Sequence, residues 1–367
     1  MSDNIVDVET FGVCLPYRKM VAFGSVTQDA ASYVLLRLRT ESGAEGIAEA
    51  VARPEQSAGE DAGLVRHVID VLYKPLLIGA DPICHENVLQ RMEKIPSNRS
   101  AKALIDTAIW DLRGKLLNQP VWRLLGGGCD PIVPLTWVVH RASVSEMVET
   151  ATEKAAEGYR GLKLKIHANA AGDLRMVREV RMAVGDDVML YVDANGKYAE
   201  GEARALLNRM VDYNVTFAED PCNSPDPSRQ AAFAQNIPMT LLGDRACTCA
   251  EEVLKLINAR AVGAVNTKVR RAGITESLRI IDVCRAAGLP VILGTDSASR
   301  VGALARLHLR AAIASLDPWP TETFFFNQLA DDAFVGDFKY ERGTVTLTDA
   351  PGFGASLDMT KMRRFAL

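Results

Sequence analysis

The stretch Gly161-Leu162-Lys163-Leu164-Lys165-Ile166 sets two lysines into an apolar strand pattern. Side chains alternate along a strand, so Lys163 and Lys165 share one face while Leu162, Leu164 and Ile166 share the other. Two ammonium groups held side by side repel and lower each other's proton affinity, which makes a lysine a usable base near neutral pH. Alone, the segment also suits a solvated edge strand. Charged residues at regular intervals along the rest of the chain decide between the two readings.

From about residue 131, apolar strands alternate with helical stretches. Strand patterns fall at 133–139, 161–166, 188–194, 214–219, 239–244, 261–268 and 289–295, with a weaker one at 319–324. Eight strands at a βα spacing predict a parallel α/β barrel; an open doubly wound sheet is the alternative, and the uniform spacing favours the barrel. The third strand ends Tyr191-Val192-Asp193-Ala194-Asn195, the fourth Phe217-Ala218-Glu219-Asp220-Pro221 and the fifth Leu242-Gly243-Asp244. Lys165 precedes Asp193 by 28 residues, and the intervals onward to Glu219, Asp244 and Lys268 are 26, 25 and 24. One residue per βα unit, at one height, converges on the face where barrel enzymes keep their chemistry.

Three carboxylates gathered there would repel unless a cation sat among them, and Mg²⁺ suits an all-oxygen set that leaves room for substrate. A helix N-cap role would explain any one of them, but not all three together with the lysines. Lys163 and Lys165 on the second strand and Lys268 on the sixth approach such an ion from opposite sides. A carboxylate substrate between them would face two acid/base groups. The chemistry expected is abstraction of a proton α to a carboxylate through an enediolate intermediate.

Composition excludes other classes. With 367 residues, 48% hydrophobic and 24% charged, the chain can bury a large core and is expected to divide into two domains. A net charge of −4 and a pI near 5.8 offer no field for nucleic acid or an anionic membrane, so the expected partner is a small molecule. No apolar run approaches the roughly 18 residues of a membrane span, and Met1-Ser2-Asp3-Asn4 lacks the basic and apolar regions of a signal peptide. A cytoplasmic protein is expected. The seven cysteines contain no C-x-x-C pair and are expected reduced. Cys247 and Cys249 have no Cys or His cluster with which to complete a soft-metal site.

The first hundred residues read as α+β. Ser32 to Arg39 and Gly46 to Glu49 form a hairpin pattern around Glu41-Ser42-Gly43. Helical patterns come next, at about 60–77, about 82–94 and 101–117. Leu15 to Ala30 lacks periodicity and reads as a mobile loop over a site. Gly126-Gly127-Gly128 reads as a boundary, since neither phosphate-cradling glycine motif is present.

These residues resemble the enolase superfamily and, within it, the muconate lactonizing enzyme subgroup of the mandelate racemase/muconate lactonizing enzyme family. The resemblance spans essentially the whole chain. It rests on Ala101-Lys102-Ala103-Leu104-Ile105-Asp106-Thr107-Ala108-Ile109-Trp110-Asp111, the Leu-Gly-Gly boundary and the Lys-x-Lys strand. It continues through Asp-Ala-Asn at 193–195, Glu-Asp-Pro at 219–221, Gly-Asp at 243–244 and Asn-Thr-Lys at 266–268. It implies a (β/α)7β modified TIM barrel over residues 128–330, capped by an α+β domain of residues 1–127 to which residues 331–367 return. By resemblance Asp193, Glu219 and Asp244 bind Mg²⁺, with Mn²⁺ as a substitute. Lys165 and Lys268 are then the acid/base pair, Lys163 tunes Lys165, and the protein is a homo-oligomer, a dimer or octamer.

The resemblance also places residues around the pocket. Asn195, Arg245, Asp296 and Glu322 are expected to line or support it. The loop from Tyr17 to Ser25, with Val51 to Pro54, would close over the barrel mouth and bring Tyr17, Phe23 and Arg53 to the substrate. Arg18, Lys19 and Arg53 there would suit a second carboxylate. In the mandelate racemase-like branch a histidine ends the seventh strand, whereas here that region reads Gly294-Thr295-Asp296-Ser297. His67, His85 and His308 fall on helical patterns and read as packing or surface residues, while His140 and His167 lie near strand ends, His167 as a candidate pocket residue. Arg245 stands where the family commonly has an acid, so it is available for an anionic substrate group. Asp296 is expected to hold a cation, or to pair with a lysine or with Arg300.

The leading expectation is a muconate cycloisomerase-type lactonisation. A racemase or epimerase of an N-substituted, cyclic or dipeptide amino acid, and an o-succinylbenzoate synthase-type dehydratase, would use the same site. Outside the family, a Schiff-base aldolase would not need three carboxylates, and a noncatalytic carboxylate-binding barrel would not need two opposed bases.

Overall fold

The computed structural model describes residues 2–23, 26–52, 60–127, 131–166, 168–224, 226–316, 318–322, 325–336 and 339–367. Three antiparallel strands open the chain, β1 (Ile5–Phe23), β2 (Val26–Thr40) and β3 (Glu45–Val51), in the order β1-β2-β3. Alternation along β2 serves two cores. Val34, Leu36 and Leu38 join Leu104, Ile105, Ala108 and Ile109 of the helix Arg99–Leu116 in one cluster. Tyr33 and Leu35 belong instead to the cluster that holds Val301 and Leu304 of the helix Arg300–Ala312. The sheet is thus sandwiched between its own helices and the barrel. Gly46 lets the helix approach, because a Cβ there would lie 2.3 Å from the Ala108 carbonyl oxygen.

Leu15 to Phe23 and Val26 to Ala30 are strand, not loop. β1 and β2 pair to the hairpin tip, with a register shift between Pro16 and Val21 before pairing resumes at Val21 with Gln28. Proline cannot donate to the ladder, and the bulge there breaks the period-two pattern that would have betrayed the strand.

The barrel strands are β4 (Ile132–Val139), β5 (Gly161–Lys165), β6 (Met189–Asp193), β7 (Val215–Glu219), β8 (Thr240–Gly243), β9 (Ala264–Thr267), β10 (Val291–Leu293) and β11 (Thr321–Glu322). β4 to β10 pair in chain order, all parallel, and β11 returns to pair with β4. Between β10 and β11 the Thr321 hydroxyl donates to the Leu293 carbonyl at 2.7 Å. The weak eighth pattern shrinks to two paired residues. Tyr191, Phe217, Leu242, Ala264 and Ile292, with Met189 and Trp319, fill a separate core of inward-facing strand residues.

The C-terminal tail divides between the two halves. The hairpin β13 (Lys339–Glu341) and β14 (Thr344–Thr346) extends the barrel sheet by pairing β14 antiparallel to β4, and β12 (Phe334–Gly336) pairs with β15 (Ala355–Leu357). The chain end then reaches β1, where the Cys14 amide donates to the Phe365 carbonyl and the Leu367 amide to the Gly12 carbonyl. Among the described residues no helix is long and apolar enough to cross a membrane, and the six described cysteines are free thiols.

Candidate active site

Strand register brings the singled-out residues to one height. Lys165 on β5 lies beside Asp193 on β6, and Asp193 beside Glu219 on β7. Asp244 and Lys268 directly follow β8 and β9. Lys165 Nζ donates to Asp193 Oδ2 at 2.5 Å and to Asn195 Oδ1 at 3.1 Å. Lys268 Nζ donates to Asp244 Oδ2 at 2.8 Å and to Asp296 Oδ1 at 3.0 Å. Lys163 Nζ sits among Glu219, Glu322 and Asp193 at 2.8, 2.9 and 3.1 Å.

The two lysines of β5 therefore differ. The Lys163 side chain is 3% exposed and that of Lys165 22%, so Lys165 is the one that a ligand entering the mouth can meet. Asp193 contacts both ammonium groups, and the depressed proton affinity expected of the pair does not hold for Lys163. Burial opposes charge on Lys163, but Glu219, Glu322 and Asp193 outweigh it and hold its pKa well above the usual lysine value. Burial likewise opposes charge on Lys268, and Asp244 and Asp296 raise its pKa. The carboxylates respond in kind. Against the cost of burial, Lys165 and Lys163 hold Asp193 below the usual range, and Arg271 and Lys268 do the same for Asp244.

Glu219 behaves oppositely. Burial and the neighbouring Asp193 carboxylate push its pKa well above the usual range. Its Oε1 accepts from Lys163 and from Asn266 Nδ2 at 3.2 Å, while its buried Oε2 has no hydrogen-bond partner. Among the described residues no three acidic, histidine or cysteine side chains are grouped to hold an ion, and ammonium and guanidinium groups pair with Asp193 and Asp244. The donor set nonetheless fits a hard cation: three carboxylates at one height and an orphaned oxygen on the central one.

The loops beyond the strands hold this arrangement. Asn195, Asp220 and Ser297, each just past a strand end, adopt left-handed backbone at φ 50°, 36° and 67°. Asp220 repays its conformation by accepting the Asp244 and Arg245 amides at 3.2 and 3.1 Å, which fixes the loop that carries Asp244. At the junction with the capping sheet, a cavity of about 20 Å³ lies between Glu49 and Thr107 on one side and Lys268, Asp296 and Arg306 on the other. Glu49 accepts from the Ser299 amide at 2.9 Å and from the Ser299 hydroxyl, joining β3 to the helix that follows β10.

Glu322 proves to be a direct partner of Lys163, and accepts from the Tyr191 hydroxyl at 2.7 Å. Asp296 pairs with Lys268 and with Arg270 at 2.7 Å, while Arg300 stacks over Phe334. Tyr17 is buried edge-on to Phe325, so it is a wall between β1 and the chain beyond β11. Arg18 turns to the Asn327 carbonyl. Arg53, His167 and the Phe23 side chain lie outside the described residues. His308 is buried and accepts from the Trp122 amide, His85 bonds Asp106, and His67 is exposed.

Sequence alone does not single out Asn266, Tyr191, Asp220, Arg270 and Arg271 as parts of the site. Period-two spacing carries a signal for two of them, since Tyr191 and Asn266 stand two residues before Asp193 and Lys268. Asp220, Arg270 and Arg271 lie beyond the strands, where no periodicity marks them.

Residues 6–126 match the family model of the mandelate racemase / muconate lactonizing enzyme N-terminal domain, and residues 146–361 that of the enolase C-terminal domain-like family. The chain belongs to the mandelate racemase/muconate lactonizing enzyme family. It is 29% identical over 371 residues to a chloromuconate cycloisomerase of Cupriavidus necator, covering 100% of this chain and 98% of that protein. It is 26% identical over 360 residues to an N-succinyl-L-Arg/Lys racemase of Bacillus cereus, covering 97% and 96%. The muconate lactonizing enzyme of Pseudomonas fluorescens, solved with muconolactone, superposes with a TM-score of 0.94 at 26% identity over 100% of both chains. Enzymes of the enolase superfamily generally use Mg²⁺. In this family member Arg245 has an acidic neighbour of its own, its Nε lying 3.4 Å from Asp220 Oδ2.

Proposed function

We propose that this protein is a Mg²⁺-dependent cycloisomerase that interconverts a muconate-type diacid and its lactone. The observation that carries the reading is the pair Lys165 and Lys268. They stand on the second strand of the barrel and directly after the sixth, each against a different carboxylate of the central set. Asp193, Glu219 and Asp244 would hold Mg²⁺, which when bound supplies positive charge against a substrate carboxylate and repels the lysine ammonium groups.

The chain's own groups then manage the proton. In lactone formation one carboxylate oxygen of the diacid adds to the conjugated diene, and a lysine ammonium delivers a proton to the carbon α to the other carboxylate. In reverse the same amine takes that proton as the ring C–O bond breaks, so no redox partner is needed. Lys165, the more open amine, is the group proposed to make this transfer, with Asn195 fixing its position. Lys163 stays charged and binds Asp193, Glu219 and Glu322 together.

The second reading is a racemase of an N-substituted amino acid. Two amines on opposed strands suit removal of an α-proton on one side and its return on the other, and one relative of similar identity is an N-succinyl-L-Arg/Lys racemase. Incubation in D₂O with Mg²⁺ tests both. Deuterium in a muconate or its lactone with loss of diene absorbance supports the cycloisomerase. Deuterium at an amino-acid α-carbon with mixing of stereoisomers supports the racemase instead. No uptake from either panel overturns both.

A further inference from the structure

We propose that Arg141 and Lys197, backed by Arg245, form a recognition site at the barrel mouth for a second anionic group on the substrate. The proposal rests on the carboxylate chemistry above and names the feature that would select a diacid. Arg141 stands two residues past the end of β4, Lys197 four past β6 and Arg245 two past β8, all on the face that carries Lys165. The short segment 195–197 joins them. Asn195 accepts from Lys165, and Gly196 lies so close to Arg245 that a Cβ would stand 2.5 Å from its guanidinium. The next residue, Lys197, is exposed.

These cations are under-compensated. Asp220 accompanies Arg245 at 3.4 Å, whereas among the described residues neither Arg141 nor Lys197 has an ion-pair partner. The effect reaches Lys197, whose pKa is lowered by partial desolvation and then by Arg141, Lys165 and Arg245 together. Cations packed without counter-charge make a field that an incoming anion relieves. The basic residues of the first hairpin are differently disposed: Arg18 is engaged by the Asn327 carbonyl, and both Arg18 and Lys19 are exposed. The rim, just past the strand ends on the face that carries Lys165, is the better-placed receptor for a distal carboxylate.

The test is calorimetry with Mg²⁺ present, using glutarate, adipate and pimelate, each against its ω-monoamide. At one chain length the wild type should bind the diacid about tenfold more tightly than the amide, a preference that weakens with salt. Lys197→Ala and Arg141→Ala should each cut that ratio about threefold, and Lys197→Glu should push it below one. A ratio near one in the wild type, or one unchanged in the double alanine variant, overturns the proposal. So does a collapse produced by Arg18→Ala instead. Deuterium exchange is read separately: exchange without the diacid preference removes the rim site and leaves the reaction, while the preference without exchange keeps the rim site and removes the reaction.

Discussion

Lys163 donates to Glu322 at 2.9 Å and so ties β5 to β11 across the intervening β4. Both groups are buried, and the same ammonium meets Glu219 and Asp193. Deleting one member of such a network strands the remaining charges, at a cost of about 3–5 kcal/mol. Lys163→Met is expected to lose stability of that order in chemical denaturation, and Mg²⁺ to restore part of it by taking the ammonium's place among the carboxylates. A loss below about 1 kcal/mol would show that the cluster relaxes around the deletion.

Lys165→Ala and Lys268→Ala are expected to lower α-proton exchange by about 10²–10⁴-fold, the usual worth of a positioned acid or base. Mg²⁺ binding, followed by calorimetry, should survive in both. Exchange at wild-type rates in the two variants would remove the lysines from the reaction.

The Asp220 carboxylate holds the backbone amides of Asp244, a predicted ligand of the ion, and of Arg245. Asp220→Ala leaves those donors without their acceptor and frees the loop. Mg²⁺ affinity should fall about 10–100-fold, as when groups that orient metal ligands are lost. An unchanged Mg²⁺ isotherm would show that the loop is held by other contacts.

Glu49 is expected to make the junction of cap and barrel sensitive to pH. Burial pushes its pKa up to about 7, against 4.5 for an ordinary glutamate, with Asp332 adding to the rise and the Ser299 hydrogen bonds opposing it. Tyr33 and Arg306 also face it. The folded protein therefore holds this proton more tightly than the unfolded chain. The resulting stabilisation is fully present below about pH 4.5 and is lost as pH rises through about 7, up to about 3 kcal/mol. Glu49→Gln retains an acceptor for Ser299 but cannot titrate. Denaturant midpoints at pH 5 and pH 8 should show the wild type losing ground to Glu49→Gln at the higher pH. A constant difference between the two proteins would place the titration elsewhere.

Much of this molecule is legible in the chain. The βα spacing locates the eight barrel strands, and the carboxylates at 193, 219 and 244 with the lysines at 163, 165 and 268 mark the face that matters. These signals are local: strand alternation, apolar runs and the position of a charge relative to a strand end are properties of neighbours in sequence. The long β1–β2 hairpin escapes because a proline bulge interrupts its alternation, and β11 is weak because it pairs over two residues only.

Which charge meets which is decided by the tertiary structure. Sequence places Lys163 beside Lys165, whereas the register of β6 puts Asp193 against both and the closure of β11 onto β4 brings Glu322 to Lys163. Sequence leaves Arg245 to a ligand, whereas the fold sets Asp220 against it, and Asp296 finds Lys268 and Arg270 from two different elements. Ion pairing and proton affinity depend on separations of a few ångströms and on burial. The sequence determined which groups stand at the barrel mouth, but those separations arise only once strands remote in sequence close on one another.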